Sequence, residues 1–261
     1  MRVAGLISVA SCVLIAANVA LGVVSAQPQP ASDRFDSHGV SLAYVVAGSG
    51  EPVVLIHGLY QNVRRSWENT GTLDMLAADY RVIALDLPGH GQSDKPDGPD
   101  AYGLAMVDDV VALLDHLQIK KAHVVGYSMG GMITMKLLAT HPDRVRSALV
   151  GGMGWMQEGS LLADVFERLQ GNGRGQTPPA CVQSLGKLAL SAEDLQAIHV
   201  PLVIVVGSQD PVLPLFVEPL RKARPDLPVI DVNGANHSTL PFRPEFKRAI
   251  LDALKAAPSA Q

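Results

Sequence analysis

Residues 123–131 read His123-Val124-Val125-Gly126-Tyr127-Ser128-Met129-Gly130-Gly131. An apolar run stops at a serine set between glycines, and Met132, Met135 and Leu138 then recur at helical spacing. The stretch predicts a buried strand, a sharp turn at Ser128 and a helix starting at Met129. A serine on such a turn sits in strained backbone, so its neighbours must be small, as Gly126 and Gly130 are. The turn lifts the hydroxyl out of the sheet and sets it at a helix N-terminus, where developing negative charge is favoured. That is a setting for nucleophilic attack. A serine hydroxyl is a poor nucleophile at neutral pH, so it needs an adjacent base, and the base needs an orienting carboxylate.

Candidate partners lie where other apolar runs end. Pro52-Val53-Val54-Leu55-Ile56 predicts a strand buried on both faces that stops at His57-Gly58-Leu59. Arg81-Val82-Ile83-Ala84-Leu85 predicts another, entering the glycine-rich Asp86-Leu87-Pro88-Gly89-His90-Gly91-Gln92-Ser93-Asp94. Asp86 reads as a loop organiser and Asp94 as a turn or capping residue, each with direct chemistry as the alternative. Pro201-Leu202-Val203-Ile204-Val205-Val206 predicts a strand ending at Gly207-Ser208-Gln209-Asp210, which places Asp210 where sites collect in open parallel sheets. Residues 229–232 predict a last strand, with His237 on the loop just beyond it and a terminal helix carrying Phe246, Ile250 and Leu254.

Between these runs the pattern is helical or irregular. Residues 40–46 read as one arm of an antiparallel hairpin turning at Gly48-Ser49-Gly50. Residues 66–78 predict one helix. Residues 102–117 predict an amphipathic helix with Met106, Val110, Leu113, Leu114 and Leu117 inward and Asp108, Asp109 and Asp115 solvated. Residues 146–150 predict a strand ending in Gly151-Gly152. Over 153–198 the strand pattern stops. Leu161, Leu162, Val165, Phe166 and Leu169 form a helical stripe, and a Gly/Pro loop with glycines at 171, 173 and 175 follows. A second helix then ends near Leu195 and Ile198. Trp155 and Met156 read either as pocket lining or as plain packing.

The chain has 261 residues, a net charge of −4 and 18% charged residues, so no basic patch invites nucleic acid. Residues 1–26 carry Arg2, an apolar run and Val24-Ser25-Ala26, the pattern of a cleaved signal peptide and hence of an exported, periplasmic or secreted protein. An uncleaved membrane anchor is the alternative, because the run of roughly 22 residues is long enough to span a bilayer. Val9-Ala10-Ser11-Cys12 resembles a lipobox, but the apolar run continues past Cys12. Removal of the leader leaves Cys181 alone, which excludes an internal disulfide, and its polar surroundings after Pro178-Pro179 argue against a nucleophile. No paired C-x-x-C, H-E-x-x-H or phosphate-loop pattern is present.

Four motifs stand in one order: His57-Gly58, residues 86–93, Gly126-Tyr127-Ser128-Met129-Gly130-Gly131, and Asp210 followed by His237. In this the chain resembles α/β-hydrolase-fold serine hydrolases of esterase-like, short-lid type, over about residues 40–254. The resemblance implies an α/β fold: a mostly parallel central sheet of about eight strands, flanked by helices. It divides the chain into a leader (1–26), a tether (27–39), a core (40–152 and 199–257) and a short helical lid (153–198). It implies Ser128 as nucleophile, His237 as general base and Asp210 as the orienting acid, in the chain order of this fold. It further implies the backbone N–H groups of Leu59 and Met129 as the oxyanion hole, with His57 structural. Some relatives carry the acid at the end of the 146–150 strand; here that end holds only Gly151-Gly152, which favours Asp210. Haloalkane dehalogenases and epoxide hydrolases of this fold use aspartate where Ser128 stands. Esterases, lactonases, amidases, perhydrolase-like enzymes and carbon–carbon bond hydrolases remain, as does a small-ligand receptor. A small carboxylic ester is the favoured substrate, with no cofactor and no metal.

Overall fold

The structure is a computed structural model, and it describes residues 32–161, 163–164 and 177–256. The leader, Leu162, Val165, Phe166, Leu169 and the glycines at 171, 173 and 175 lie outside the described residues.

Eight strands form one sheet: β1 (Asp33–Ser37), β2 (Val40–Ala47), β3 (Glu51–Ile56), β4 (Tyr80–Leu85), β5 (Ala122–Tyr127), β6 (Val145–Gly151), β7 (Leu202–Gly207) and β8 (Val229–Val232). Their order across the sheet is β1-β2-β4-β3-β5-β6-β7-β8. The β1–β2 and β2–β4 pairs are antiparallel, and every later pair is parallel. The apolar runs sit where both sheet faces are covered, and β5 is buried along its whole length. Helices among the described residues include α1 (Thr72–Ala77), α2 (Leu104–His116), α3 (Met129–Thr140), α4 (Pro179–Gln183), α5 (Ala192–Gln196), α6 (Glu218–Ala223) and α7 (Pro244–Lys255). One core layer joins α2 and α3 to the sheet through Met106, Val110, Ile133 and Leu137. The opposite layer packs Trp67, Leu73 and Leu76 together with Phe246, Ile250 and Leu254 of α7.

Five sequence expectations are corrected here. The tether does not extend to residue 39, because Asp33–Ser37 is the first strand, paired from Asp33↔Tyr44 to Ser37↔Val40. Phe35 and Ser37 face inward while Asp33, Arg34 and Asp36 face water, so a charged edge strand reads as polar linker. The hairpin turn is His38-Gly39, both at positive φ (53° and 85°), as a two-residue hairpin loop favours. Gly48-Ser49-Gly50 instead carries the chain from β2 to β3, which pair with β4 and not with each other. A Cβ at Gly48 would lie 2.3 Å from the carbonyl oxygens of Ala77 and Tyr80, so only glycine passes there.

The predicted helix 66–78 is two pieces, a π-helical turn (Arg64–Glu68) and α1, broken at Gly71 (φ 70°). Thr70 contributes to the break by turning its hydroxyl back onto the carbonyls of Ser66 and Trp67. Asp109 is not solvated: it is 4% exposed and accepts a 2.5 Å hydrogen bond from the Ser37 hydroxyl. The antiparallel β1 ribbon covers that side of α2, which the helix's own periodicity does not reveal. Cys181 does not lie in a polar environment either. It is fully buried on α4, and burial pushes its thiol up to about 12, so it is inert as a nucleophile. Trp155 and Met156 are packing residues in the described fold. The Trp155 ring N–H donates to the Leu190 carbonyl, and the Met156 carbonyl accepts from Leu190 N–H.

Candidate active site

Ser128 occupies the junction of β5 and α3 with φ 54° and ψ −115°, a conformation that non-glycine residues adopt only under constraint. The constraint is visible on each side. Its N–H donates to Gly151 O at 2.8 Å, and its carbonyl accepts the first helical bond from Met132 N–H at 3.0 Å. Space forces both flanking glycines. A Cβ at Gly126 would stand 2.2 Å from Gly130 O and from Thr134 Oγ1, and one at Gly130 would stand 2.0 Å from Ile56 O. The helix therefore starts pressed against the ends of β3 and β5, with the hydroxyl lifted clear of the sheet.

His237 reaches that hydroxyl from the loop after β8. Its Nε2 lies 2.9 Å from Ser128 Oγ, and its Nδ1 lies 2.8 Å from Asp210 Oδ2. Asp210 follows β7 with its side chain wholly buried, and its other oxygen accepts Val212 N–H at 3.0 Å. With the carboxylate at Nδ1, that nitrogen carries the ring proton and Nε2 faces Ser128 as an acceptor. The two loops are tied together: Gln209 N–H donates to Ala235 O, and Gly234 N–H donates to Ser208 Oγ. Asn236 closes the His237 turn by accepting the N–H groups of Ser238 and Thr239.

Tyr127, which sequence reasoning did not single out, supports the histidine. Its hydroxyl donates to the His237 carbonyl at 2.5 Å, and its ring lies 5.4 Å from the imidazole and 5.8 Å from Phe246. Burial, with Asp210 adding to it, raises this phenol well above its ordinary pKa, so it stays a donor. A tyrosine immediately before the serine was the available signal, but its periodicity is that of any strand residue.

The remaining candidates divide as follows. Among the described residues, neither the Leu59 N–H nor the Met129 N–H donates to a protein acceptor, and the two flank Ser128 on the β3 and α3 sides. Gly58 brings the Leu59 loop close, since a Cβ there would lie 3.3 Å from Ser128 Cβ. His57 does not join the Ser128 chain; it is fully buried and bonded to Gly58 O and Leu87 N–H. Asp86 organises its loop by accepting Val63 N–H and Gln92 N–H, each at 2.8 Å. Asp94 pairs with Arg34 and accepts Ser41 N–H, fixing the β1–β2 edge. Two cavities, of about 420 Å³ beside the 62–69 segment and about 460 Å³ around Arg81, Lys121 and Arg146, lie away from Ser128. Hydrogen-bond geometry rather than cavity size singles out this site. No cluster of metal-ligating side chains occurs among the described residues.

Comparison with known proteins bears on the family and the fold. Residues 51–183 match the profile of the family described as alpha/beta hydrolase fold. A dihydrolipoyllysine-residue acetyltransferase component of an acetoin cleaving system from Pseudomonas putida is 39% identical over 140 residues, covering 52% of this chain and 36% of that one. Epoxide hydrolase 3 of Siraitia grosvenorii is 34% identical over 113 residues, covering 43% and 35%. The chain thus spans little more than a third of the length of these curated relatives. Among solved structures, E-2-(acetamidomethylene)succinate hydrolase aligns with a TM-score of 0.71 at 23% identity, over 87% of this chain and 99% of that one. An enol-lactonase from Burkholderia xenovorans aligns at 0.70 and 21%, over 85% and 100%. At such identities the solved structures bear on the fold alone. With more than half its length inside the family profile, and with a serine at the turn between β5 and α3, this chain belongs to the α/β-hydrolase fold family.

Proposed function

We propose that the chain is a serine hydrolase that cleaves a small carboxylic ester through an acyl-enzyme on Ser128. The observation that carries this reading is the unbroken hydrogen-bond chain Asp210–His237–Ser128, ending on a hydroxyl held at a helix N-terminus. His237 Nε2 takes the hydroxyl proton as Ser128 Oγ bonds to the acyl carbon, and the carbonyl π pair moves onto oxygen. The N–H groups of Leu59 and Met129 receive that oxyanion. The buried Asp210 carboxylate stabilises the imidazolium and keeps its tautomer. Collapse of the intermediate breaks the bond to the alcohol, which leaves with the proton from His237. Water, deprotonated by the same imidazole, then attacks the acyl carbon and returns Ser128. A carboxylic ester is the least demanding acyl group for this arrangement, and no cofactor enters the steps.

The test is labelling with a fluorophosphonate probe, read by intact mass and peptide mapping, beside p-nitrophenyl esters of graded chain length. Labelling at Ser128 with ester turnover is the expected result, and Ser128→Ala should lose activity by a factor on the order of 10⁶ while keeping its fold. Undiminished turnover in that variant would refute the mechanism. Labelling without ester turnover would move the substrate to lactones, amides or diketones, which the same three residues can serve. Tight ligand binding without labelling or turnover would make the chain a receptor.

A further inference from the structure

Two histidines outside the hydrogen-bond chain stand against the loop that carries Leu59. His57 and His90 are 0% and 2% exposed, with ring centroids 5.1 Å apart. Each bonds once to its own loop and once to the other's. His57 Nδ1 lies 2.8 Å from Gly58 O, and its Nε2 accepts Leu87 N–H at 3.1 Å. His90 Nδ1 lies 2.8 Å from Pro88 O, and its Nε2 accepts Tyr60 N–H at 3.2 Å. Backbone N–H groups can only donate, so both Nε2 atoms are acceptors and both ring protons sit on Nδ1, facing carbonyls. Each ring is therefore neutral. Burial pushes His57 down to about 4 and His90 to about 3, where the neighbouring His57 lowers it further.

The bonds fall on the two peptide units that flank the Leu59 Cα. A peptide is planar, so the direction of its carbonyl fixes the direction of its N–H. Gly58 C=O and Leu59 N–H share one such plane, whose carbonyl accepts from His57 Nδ1–H and from Gln61 N–H at 3.2 Å. Leu59 C=O and Tyr60 N–H share the next, whose N–H is held by His90. Tyr60 itself sits at φ 61°, a left-handed conformation that a bulky side chain does not favour, so this turn needs outside support. We propose that His57 and His90 form a reciprocal latch that aims the Leu59 N–H at the oxyanion position. Both are positioning residues: His57 acts through the Gly58 carbonyl, His90 through Tyr60. The proposal rests on the serine hydrolase reading and names what holds one of its two oxyanion donors.

The test compares wild type with His90→Ala, His57→Ala and the conservative His90→Gln, which keeps an acceptor. Active sites are counted in each preparation by fluorophosphonate titration. Per titrated site, His90→Ala should lower kcat about 10- to 10²-fold with KM changed less than about twofold. Affinity for a trifluoromethyl ketone, which Ser128 Oγ attacks reversibly to give a tetrahedral oxyanion, should fall by the same factor as kcat/KM. His90→Gln should recover most of both. A purely structural role would lower the number of titrated sites and the Tm while leaving kcat per site and ketone affinity unchanged, and that result overturns the proposal. Failure of the serine hydrolase reading looks different, because wild type itself would then neither label nor turn over. In that event the latch is judged by ¹⁵N spectra of the wild-type imidazoles, where protonation at Nε2 of either ring from about pH 5 to about pH 8 overturns it.

Discussion

Asp109 gives a prediction whose size follows from its surroundings. The carboxyl is buried between α2 and β1, with Ser37 donating to Oδ1 and nothing bonded to Oδ2. Burial raises its pKa to about 7 from an ordinary value of 3.8, against the smaller opposing effects of the Ser37 hydrogen bond and His38. The folded pKa is thus raised above the unfolded one. Between about pH 4 and pH 7 the native state keeps a proton that the unfolded chain has lost, so this group's contribution to stability falls as pH rises, by about 1.4 kcal/mol per unit. Over that window it loses about 4 kcal/mol and is flat beyond it. Asp109→Asn cannot titrate, yet it retains an oxygen to accept from Ser37. Urea unfolding of both proteins should therefore show wild-type stability falling relative to the variant by about 2 kcal/mol between pH 5 and pH 7. The buried neutral histidines His57 and His90 pull stability the opposite way, but they are common to both proteins and cancel in the difference. Parallel stability curves for the two proteins would refute a buried, protonated Asp109.

Two further outcomes follow from the site. Tyr127→Phe removes the hydroxyl that holds the His237 carbonyl; it should cost about 1–2 kcal/mol in urea unfolding and lower kcat about tenfold with little change in KM. Gly126→Ala forces a Cβ against Gly130 O and Thr134 Oγ1 and should destabilise by about 3 kcal/mol, seen as a lowered urea midpoint, even though alanine is the smallest possible change.

Much of the fold was legible because the central strands are buried on both faces. Runs such as Pro52-Val53-Val54-Leu55-Ile56 admit little else, and they set β3, β4, β5 and β7 close to their observed bounds. The turn at Ser128 was legible because its glycines stand at fixed spacing around the serine, although Gly130 is required by Ile56 O of β3 as Gly126 is by Gly130 O. What was lost depended on contacts remote in sequence. Edge strand β1 has one buried face and three charged residues, so it reads as linker until β2 lies beside it. Asp109 looks solvated until the same ribbon covers it. His90 is four residues past Asp86 in a loop whose glycines dominate the pattern, and only the spatial approach of Tyr60 gives its Nε2 a partner outside its own loop. The substrate is not legible for another reason: under the proposed function the three residues at Ser128 would serve any acyl group, and the walls that would select one carry no required residue types.

The glycine pair at the end of β6 shows how packing decides which carboxylate His237 can use. A Cβ at Gly151 would lie 2.6 Å from the Phe246 ring and 2.8 Å from the Tyr127 ring. At Gly152, where φ is 58°, it would lie 2.9 Å from Tyr127 and 3.2 Å from His237 Cε1. No carboxylate can be grown from either position while Tyr127 occupies that space and holds the histidine loop. The carboxylate that meets His237 comes instead from the end of the neighbouring strand, β7, where Asp210 Oδ2 lies 2.8 Å from Nδ1. There Val212 N–H fixes one carboxylate oxygen and leaves the other for Nδ1. Placing the acid on β7 frees the end of β6 for the tyrosine seat, so the absence of an acid there and the presence of Tyr127 are one structural choice.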